Sequence, residues 1–317
     1  MKILRFAITL LLLLAIVEIA LRVVWGFGNP VLYSASADYE YMYAPNQHLT
    51  RFGNKIQTNS FGMRSPEPAP DDSIRILYIG DSVINGGTHT AQDNLSSHLL
   101  AESLSKMLHK KVGVLNISAG SWGPDNATAF LKKHGTFNAD AMIVVFSSHD
   151  AFDNMNFEDV IDNNIHYPGH KPASAISEVI LRYFAPIASS ILGASTEENK
   201  KLMINNQRQQ FNSGWKGLID IAAADSIPLF IVLHAEQAEI NKGAYNRYGQ
   251  MIQDTLKAHN IPFATDLNWG ISADYYRDFI HLNDKGQLFL AEKLTETTSQ
   301  LIQANASDAS ISGNLSH

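Results

Sequence analysis

Two short clusters in this chain carry side chains that can act on one another. Gly80-Asp81-Ser82 closes the run "ILYIGDSV", and Asp278 and His281 stand three residues apart in "DFIHLNDKG". A serine hydroxyl is a weak nucleophile until a neighbouring base takes its proton. His281 can be that base. Asp278, on a tight turn just before it, can fix the tautomer of the imidazole and stabilise its protonated form. Attack on an acyl carbon puts negative charge on an oxygen, which then needs donors aimed at it. The backbone N–H of Ser82, opening a helix, is one candidate. Gly120 in "NISAGSWG" is a second, because it has no side chain to block approach. Gly80 is expected to let the chain turn sharply so that Ser82 projects into a cleft.

Other polar residues fall where the same cleft would be. His149 and Asp150 end the run "AMIVVFSSHD", and His234 ends "LFIVLH". His149 is expected to donate to the acyl oxygen or to hold local structure. Asp150 is expected to orient its loop, with substrate contact as the other role. His234 either touches substrate or only terminates a strand. His166 and His170 flank a Pro-Gly turn but lack a third ligand. Gly86-Gly87 is not followed by the Lys-Ser/Thr of a phosphate loop, and no dinucleotide fingerprint follows the first strand. The sequence therefore calls for no cofactor and no metal.

Placing these residues together is the task of the elements. Strands are expected at Arg75–Gly80, Val112–Ser118, Ala141–Ser147, Pro228–His234 and Pro262–Thr265. Each is a short, nearly continuous apolar run rich in β-formers, as in a parallel sheet covered on both faces. Helical patterns fall between them, at about 92–110, 125–135, 197–224 and 242–258, and a last one starts near Asn283. Alternating β and α implies a doubly wound, three-layer α/β/α domain with a mainly parallel five-stranded sheet. In such sheets ligands sit beyond the carboxyl ends of the strands, where Ser82, Gly120, His149 and His234 all fall.

The connection between Ser147 and Pro228 is long, about 80 residues. Residues 151–227 read as an insertion, either a lid over the cleft or extra helices covering the sheet. Residues 26–73, rich in Tyr, Asn, Gly and Pro, read as an irregular arm with short β pieces and a linker. The main domain is expected over 74–303. Residues 304–317, rich in Ser and Asn, read as a disordered tail.

The N-terminus is of another kind. "FAITLLLLLAIV" is uncharged, with Lys2 and Arg5 before it, and apolar character resumes after Glu18 as far as Trp25. Glu18 and Arg22 can pair at i,i+4. Residues 1–25 read as a single membrane anchor with its N-terminus in the cytoplasm, or as a cleaved signal segment. Both readings put the rest of the chain outside the cytoplasm, and the first makes it single-pass in an inner membrane facing the periplasm.

Composition narrows the classes. In 317 residues, 45% are hydrophobic and 17% charged, enough for a sizeable core. A net charge of −7 without a basic run argues against nucleic acid as a partner. The absence of cysteine excludes disulfides, thiolate nucleophiles and zinc ribbons.

Over residues 74–303 the sequence resembles the SGNH, or GDSL, hydrolase superfamily. Gly80-Asp81-Ser82 matches its first block, Gly120 its second, and Asp278 with His281 its last. The third block differs, since His149 stands where the family has asparagine. The resemblance implies Ser82 as nucleophile, His281 as base and Asp278 as orienting acid, with Ser82, Gly120 and His149 as oxyanion donors. The anchor, the Tyr/Pro-rich arm and "TNSFGMRSPE" resemble membrane-anchored members associated with bacterial extracellular polysaccharide synthesis. That implies an acylated carbohydrate substrate, an O-acyl (O-acetyl) esterase activity, and contact with polysaccharide synthesis machinery. Transfer of the acyl group to a sugar, and a non-catalytic carbohydrate-binding subunit, remain as alternatives.

Overall fold

The structure, a computed structural model, describes residues 1–191 and 210–314. At its centre is a five-stranded sheet of β5 (Ile74–Gly80), β6 (Val112–Ser118), β7 (Ala141–Ser147), β8 (Leu229–His234) and β9 (Phe263–Thr265). The order is β6-β5-β7-β8-β9, and every pairing is parallel. The short β pieces expected in the arm ahead of it pair as two antiparallel hairpins: β1 (Tyr33–Ser36) with β2 (Glu40–Tyr43), and β3 (His48–Arg51) with β4 (Asn54–Gln57).

The continuous apolar runs follow from burial of both sheet faces. Leu77, Ile79, Leu115, Ile117, Met142, Val144, Phe146, Ile231 and Leu233 point to one side. There they meet α4 (Pro124–His134), α7 (Gly214–Ala224) and α9 (Arg247–Ala258), through Phe130, Trp215, Leu218 and Ile252. Their alternates Ile76, Tyr78, Val114, Ile143, Val145 and Val232 point to the other side. There they meet α3 (Ser96–Leu108) and α10 (Asp284–Asn314), through Leu100, Leu104, Leu290 and Leu294. This is the period-two alternation of a pleated strand, apolar on both faces.

Three boundaries differ from those expected. Of the stretch 197–224, residues 197–209 lie outside the described residues, and the helix seen is Gly214–Ala224. That helix belongs to the sheet's cover, since Trp215 and Leu218 are buried in the core, so the inserted part ends before it. The last helix continues to Asn314, beyond residue 303, and 315–317 lie outside the described residues. Alanines at 304, 306 and 309 favour the helical state there.

The first helix, α1 (Lys2–Trp25), is 24 residues long, with none of its residues buried. By length and composition it can cross a membrane. Arg22 donates to Glu18 on its surface at 2.7 Å.

Candidate active site

β5 ends at Gly80, and the chain passes directly into the single-turn helix α2 (Ser82–Asn85). Asp81 caps it, accepting the Val83 N–H at 2.8 Å. Gly80 is required for packing more than for turning, because a Cβ there would lie 2.4 Å from the Val145 carbonyl oxygen of β7. Its φ is not in the left-handed region. Because β5 lies between β6 and β7, Ser82 is flanked by the two strand ends that carry Gly120 and His149.

The loop before α10 brings in the rest. His281 Nε2 is 2.9 Å from Ser82 Oγ, and His281 Nδ1 is 2.8 Å from Asp278 Oδ2. Asp278 also accepts the backbone N–H groups of Ile280 (3.0 Å) and His281 (2.8 Å). Burial works against its charge, but these bonds and the His281 ring hold its carboxyl below the usual range. With Asp278 ionised, Nδ1 carries a proton toward it and Nε2 faces the serine as acceptor. Arg277 N–H to His281 O (2.9 Å) and a bridge between Tyr276 and Leu282 close the loop on itself.

The expected oxyanion donors are placed as follows. The backbone N–H groups of Ser82 and Gly120 donate to no acceptor among the described residues. For Ser82 this follows from its place at the first position of a helix. A Cβ on Gly120 would meet only the Tyr167 hydroxyl, at 4.0 Å, so that side of the turn is open. His149 has a ring 42% exposed, with Nδ1 3.3 Å from Glu236 Oε1. Its Nε2 faces Asp81 Oδ2 (3.9 Å) and Asp150 Oδ1 (3.7 Å), both beyond hydrogen-bond length.

Those two carboxylate oxygens are buried and have no hydrogen-bond partner among the described residues. Burial pushes the carboxyls of Asp81 and Asp150 up, and His149 pulls them back. Burial also opposes charge on the His149 ring, but Asp150, the Glu236 hydrogen bond and Asp81 push its pKa up to about 10. His149 is thus an imidazolium at neutral pH, anchored through Nδ1, with a charged Nε2–H not committed to any bond. One nitrogen of His149 and one oxygen each of Asp81 and Asp150 lie within 4.8 Å of one another. A cation would fit that donor set only by displacing the His149 proton.

Asp150 is fully buried and accepts the Ser147 N–H at 2.7 Å. It holds the turn after β7 through that bond and offers no exposed atom to a substrate. His234 does not line the cleft. It is 1% exposed, with Nδ1 2.5 Å from Asp266 and Nε2 2.8 Å from the Ile280 carbonyl, under the stacked ring of Tyr276. Both acceptors require protons on the ring, and Asp266 raises its pKa against the effect of burial. A substrate contact is therefore replaced by a brace on the residue next to His281. A strand-end histidine looks the same in sequence whether it faces the cleft or the next loop.

Glu236 is not singled out from the sequence, and Arg64 lies in "TNSFGMRSPE" without being marked by its residue type. Arg64, fully buried, reaches from the arm to the loop after α2 and donates to the carbonyls of Asn85 (2.7 Å), Gly87 (2.6 Å) and Thr90 (3.1 Å). Asn59 prepares this by accepting from Phe61 and Met63 (2.9 and 3.0 Å) in "TNSFGMR". The inserted segment touches the rim through Tyr167, whose hydroxyl donates to Ser121 Oγ at 3.2 Å. His170 pairs with Asp162 at 2.9 Å on the surface.

No protein-family model matches the chain, and no curated protein sequence matches it. Several solved structures are similar in chain course. A lipase/acylhydrolase from Enterococcus faecalis aligns with 12% identity and a TM-score of 0.42, over 71% of this chain and 94% of its own. LAE5, an alpha/beta hydrolase enzyme from the metagenome of Lake Arreo, Spain, aligns with 14% identity and a TM-score of 0.43, over 72% and 96%. A two-domain esterase active on acetylated mannans aligns with 13% identity and a TM-score of 0.42, over 72% and 49%.

Proposed function

We propose that this protein is a serine ester hydrolase of the SGNH type. The observation that carries this is the unbroken relay Ser82 Oγ–His281 Nε2, His281 Nδ1–Asp278, with bonds of 2.9 and 2.8 Å. His281 takes the Ser82 proton as Oγ attacks the acyl carbon of an ester. The carbonyl oxygen gains the negative charge and is held by the N–H groups of Ser82 and Gly120 and by the His149 imidazolium. The intermediate collapses, the C–O bond to the alcohol breaks, and His281 returns its proton to the leaving oxygen. An acyl-Ser82 remains. Water, deprotonated by His281, then attacks that acyl group and regenerates the serine.

The substrate class we favour is O-acyl, and specifically O-acetyl, groups on an extracellular polysaccharide, with the catalytic domain held outside the cytoplasm by α1. It rests on the resemblance of the anchor, arm and Ser82 block to anchored polysaccharide-associated proteins. A sugar hydroxyl in place of water would give transfer through the same acyl-serine.

The test is direct. Full-length protein in detergent should hydrolyse a chromogenic acetyl ester, and an acetyl group should be found on the Ser82 peptide by mass spectrometry after rapid quenching. Ser82→Ala should lower kcat by roughly 10⁴-fold or more. Adding an acceptor oligosaccharide reports transfer, read as acetylated sugar. Wild-type turnover no faster than Ser82→Ala, with no adduct, would end the catalytic reading.

A further inference from the structure

α1 is tied to the inserted segment. Both carboxylate oxygens of Glu18 accept backbone N–H groups at the start of α5 (Ala175–Val179), from Ala175 and Ile176, each at 2.9 Å. One turn later Glu178, 3% exposed, takes Arg51 at 2.5 Å, the Gly28 N–H at 2.6 Å and Arg182 at 2.9 Å. α5 is thus fixed on one side to the helix that can cross a membrane and on the other to the arm. The chain then continues through a wide helical turn, Ile180–Phe184, into α6 (Ala185–Ile191).

The outward side of this continuation is apolar. Ile180, Leu181, Tyr183, Phe184 and Ile187 are 47–60% exposed, and 180, 183, 184 and 187 follow the i, i+3, i+4, i+7 spacing of one helix face. Isolated exposed apolar residues are ordinary, but a continuous stripe is not. Its position indicates what covers it. The ring of Tyr183 lies 6.0 Å from that of Phe27, just past the end of α1, while Ala175 and Ile176 sit at Glu18. The segment 175–183 therefore runs alongside the last ~10 Å of α1. Over that same length, Ile19, Val23 and Val24 of α1 remain exposed, as does Trp25. Since 175–176 lie level with Glu18 and 183 level with Phe27, the stripe falls at the C-terminal end of that lipid-facing length of α1, and Trp25 and Tyr183 are residues that favour the membrane–water boundary.

We propose that residues 180–187 form a second membrane contact, lying in the leaflet that receives the C-terminal end of α1. The contact rests on the membrane reading of α1 and is independent of the chemistry assigned to Ser82. Its depth is that of an interfacial helix, about 5–10 Å into the headgroup and acyl boundary. With α1 it gives two points of attachment, so the globular domain is held at one height and tilt above the lipid instead of swinging on a single tether. The acyl groups it reaches would then be those on chains close to the membrane surface.

The absence of cysteine makes single labels possible on the full chain. Phe184→Cys, Ile187→Cys, Leu11→Cys and, as an aqueous control on α7, Lys216→Cys are each labelled with a polarity-sensitive fluorophore. The proteins are reconstituted into phosphatidylcholine–phosphatidylglycerol vesicles carrying spin-labelled lipids. Labels at 184 and 187 are expected to shift to the blue relative to 216 and to lose fluorescence to a quencher near the headgroup. Label 11 should be quenched most by one deep in the acyl chain. Labels at 184 and 187 that emit like 216, while 11 is quenched, would overturn the contact and leave the anchor standing. Blue-shifted emission at 184 and 187 without lipid quenching would show that protein covers the stripe, and would also overturn it. A label at 11 that no lipid quenches would remove the anchor and this contact together.

Discussion

At His149 the surroundings of the ring say what it can do. Its Nδ1 is held by Glu236, and its Nε2 faces the unpartnered oxygens of Asp81 and Asp150 without a bond of hydrogen-bond length. A charged donor so placed stabilises an oxyanion more strongly than a neutral amide. Replacing it by alanine should lower kcat about 10²–10³-fold, the usual loss for one such donor. Glu236 is a positioning residue in this scheme. Glu236→Gln should lower kcat on the order of 10-fold, the rate equivalent of one hydrogen bond, and leave KM nearly unchanged. It should also shift a pH profile. The wild-type ring is pushed up to about 10, in part by Glu236, so losing that carboxylate brings its titration toward neutrality. The alkaline limb of kcat should move to lower pH. A profile identical to wild type would show that Glu236 does not act through His149.

At the scale of elements, the arm completes the site from outside the α/β domain. Tyr41 donates to the Gly120 carbonyl at 2.9 Å, and Tyr43 donates to Asn85 at 2.9 Å at the end of α2. Arg64 fastens the loop that follows. Its burial pulls its pKa down only to about 10, so it stays charged at neutral pH, with carbonyl oxygens as its partners. Arg64→Ala would leave those carbonyls without a donor and a cavity behind them. The expected loss is about 3–5 kcal/mol, read as a fall of roughly 5–15 °C in Tm. Arg64→Lys, which cannot fork to several carbonyls at once, should fall between the two. A Tm for Arg64→Ala within a degree or two of wild type would mean that α2 and its loop stand without the arm. The stretch "TNSFGMRSPE" thus has a local physical role. Asn59 folds the turn, and Arg64 enters the interior from it.

At the scale of the whole molecule, the arm and the inserted segment meet at Glu178. Burial raises its pKa, but Arg51, the Gly28 N–H and Arg182 outweigh that and hold it below the ordinary value. A carboxyl depressed on folding stabilises fully above the unfolded pKa of about 4.3 and loses that contribution as pH falls through the folded one. The wild type should therefore lose Tm relative to Glu178→Gln as pH drops below about 4.5. At pH 7 Glu178→Gln should be the less stable, by about 3–5 kcal/mol, because Arg51 is left buried without its counter-charge. Equal Tm values for the two proteins across pH 3–7 would contradict this account.

Much of this plan was legible before folding. The strands at Val112–Ser118 and Ala141–Ser147 have the bounds the apolar runs implied. The alternation of β and α implied a parallel sheet covered on both faces, and Ser82, Asp278 and His281 were named from residue type and spacing. These are local properties: period, run length and turn chemistry are written in neighbouring residues. The order of strands in the sheet is not. It is that order, β6-β5-β7-β8-β9, that sets Ser82 between Gly120 and His149 and brings Glu236 to the His149 ring from 87 residues away. It also turned His234 inward to brace Ile280, and made Gly80 a matter of the Val145 carbonyl beside it. A side chain's period shows that it is buried or polar. Which distant partner it meets is decided only when separate segments close on one another, and no local pattern holds that information.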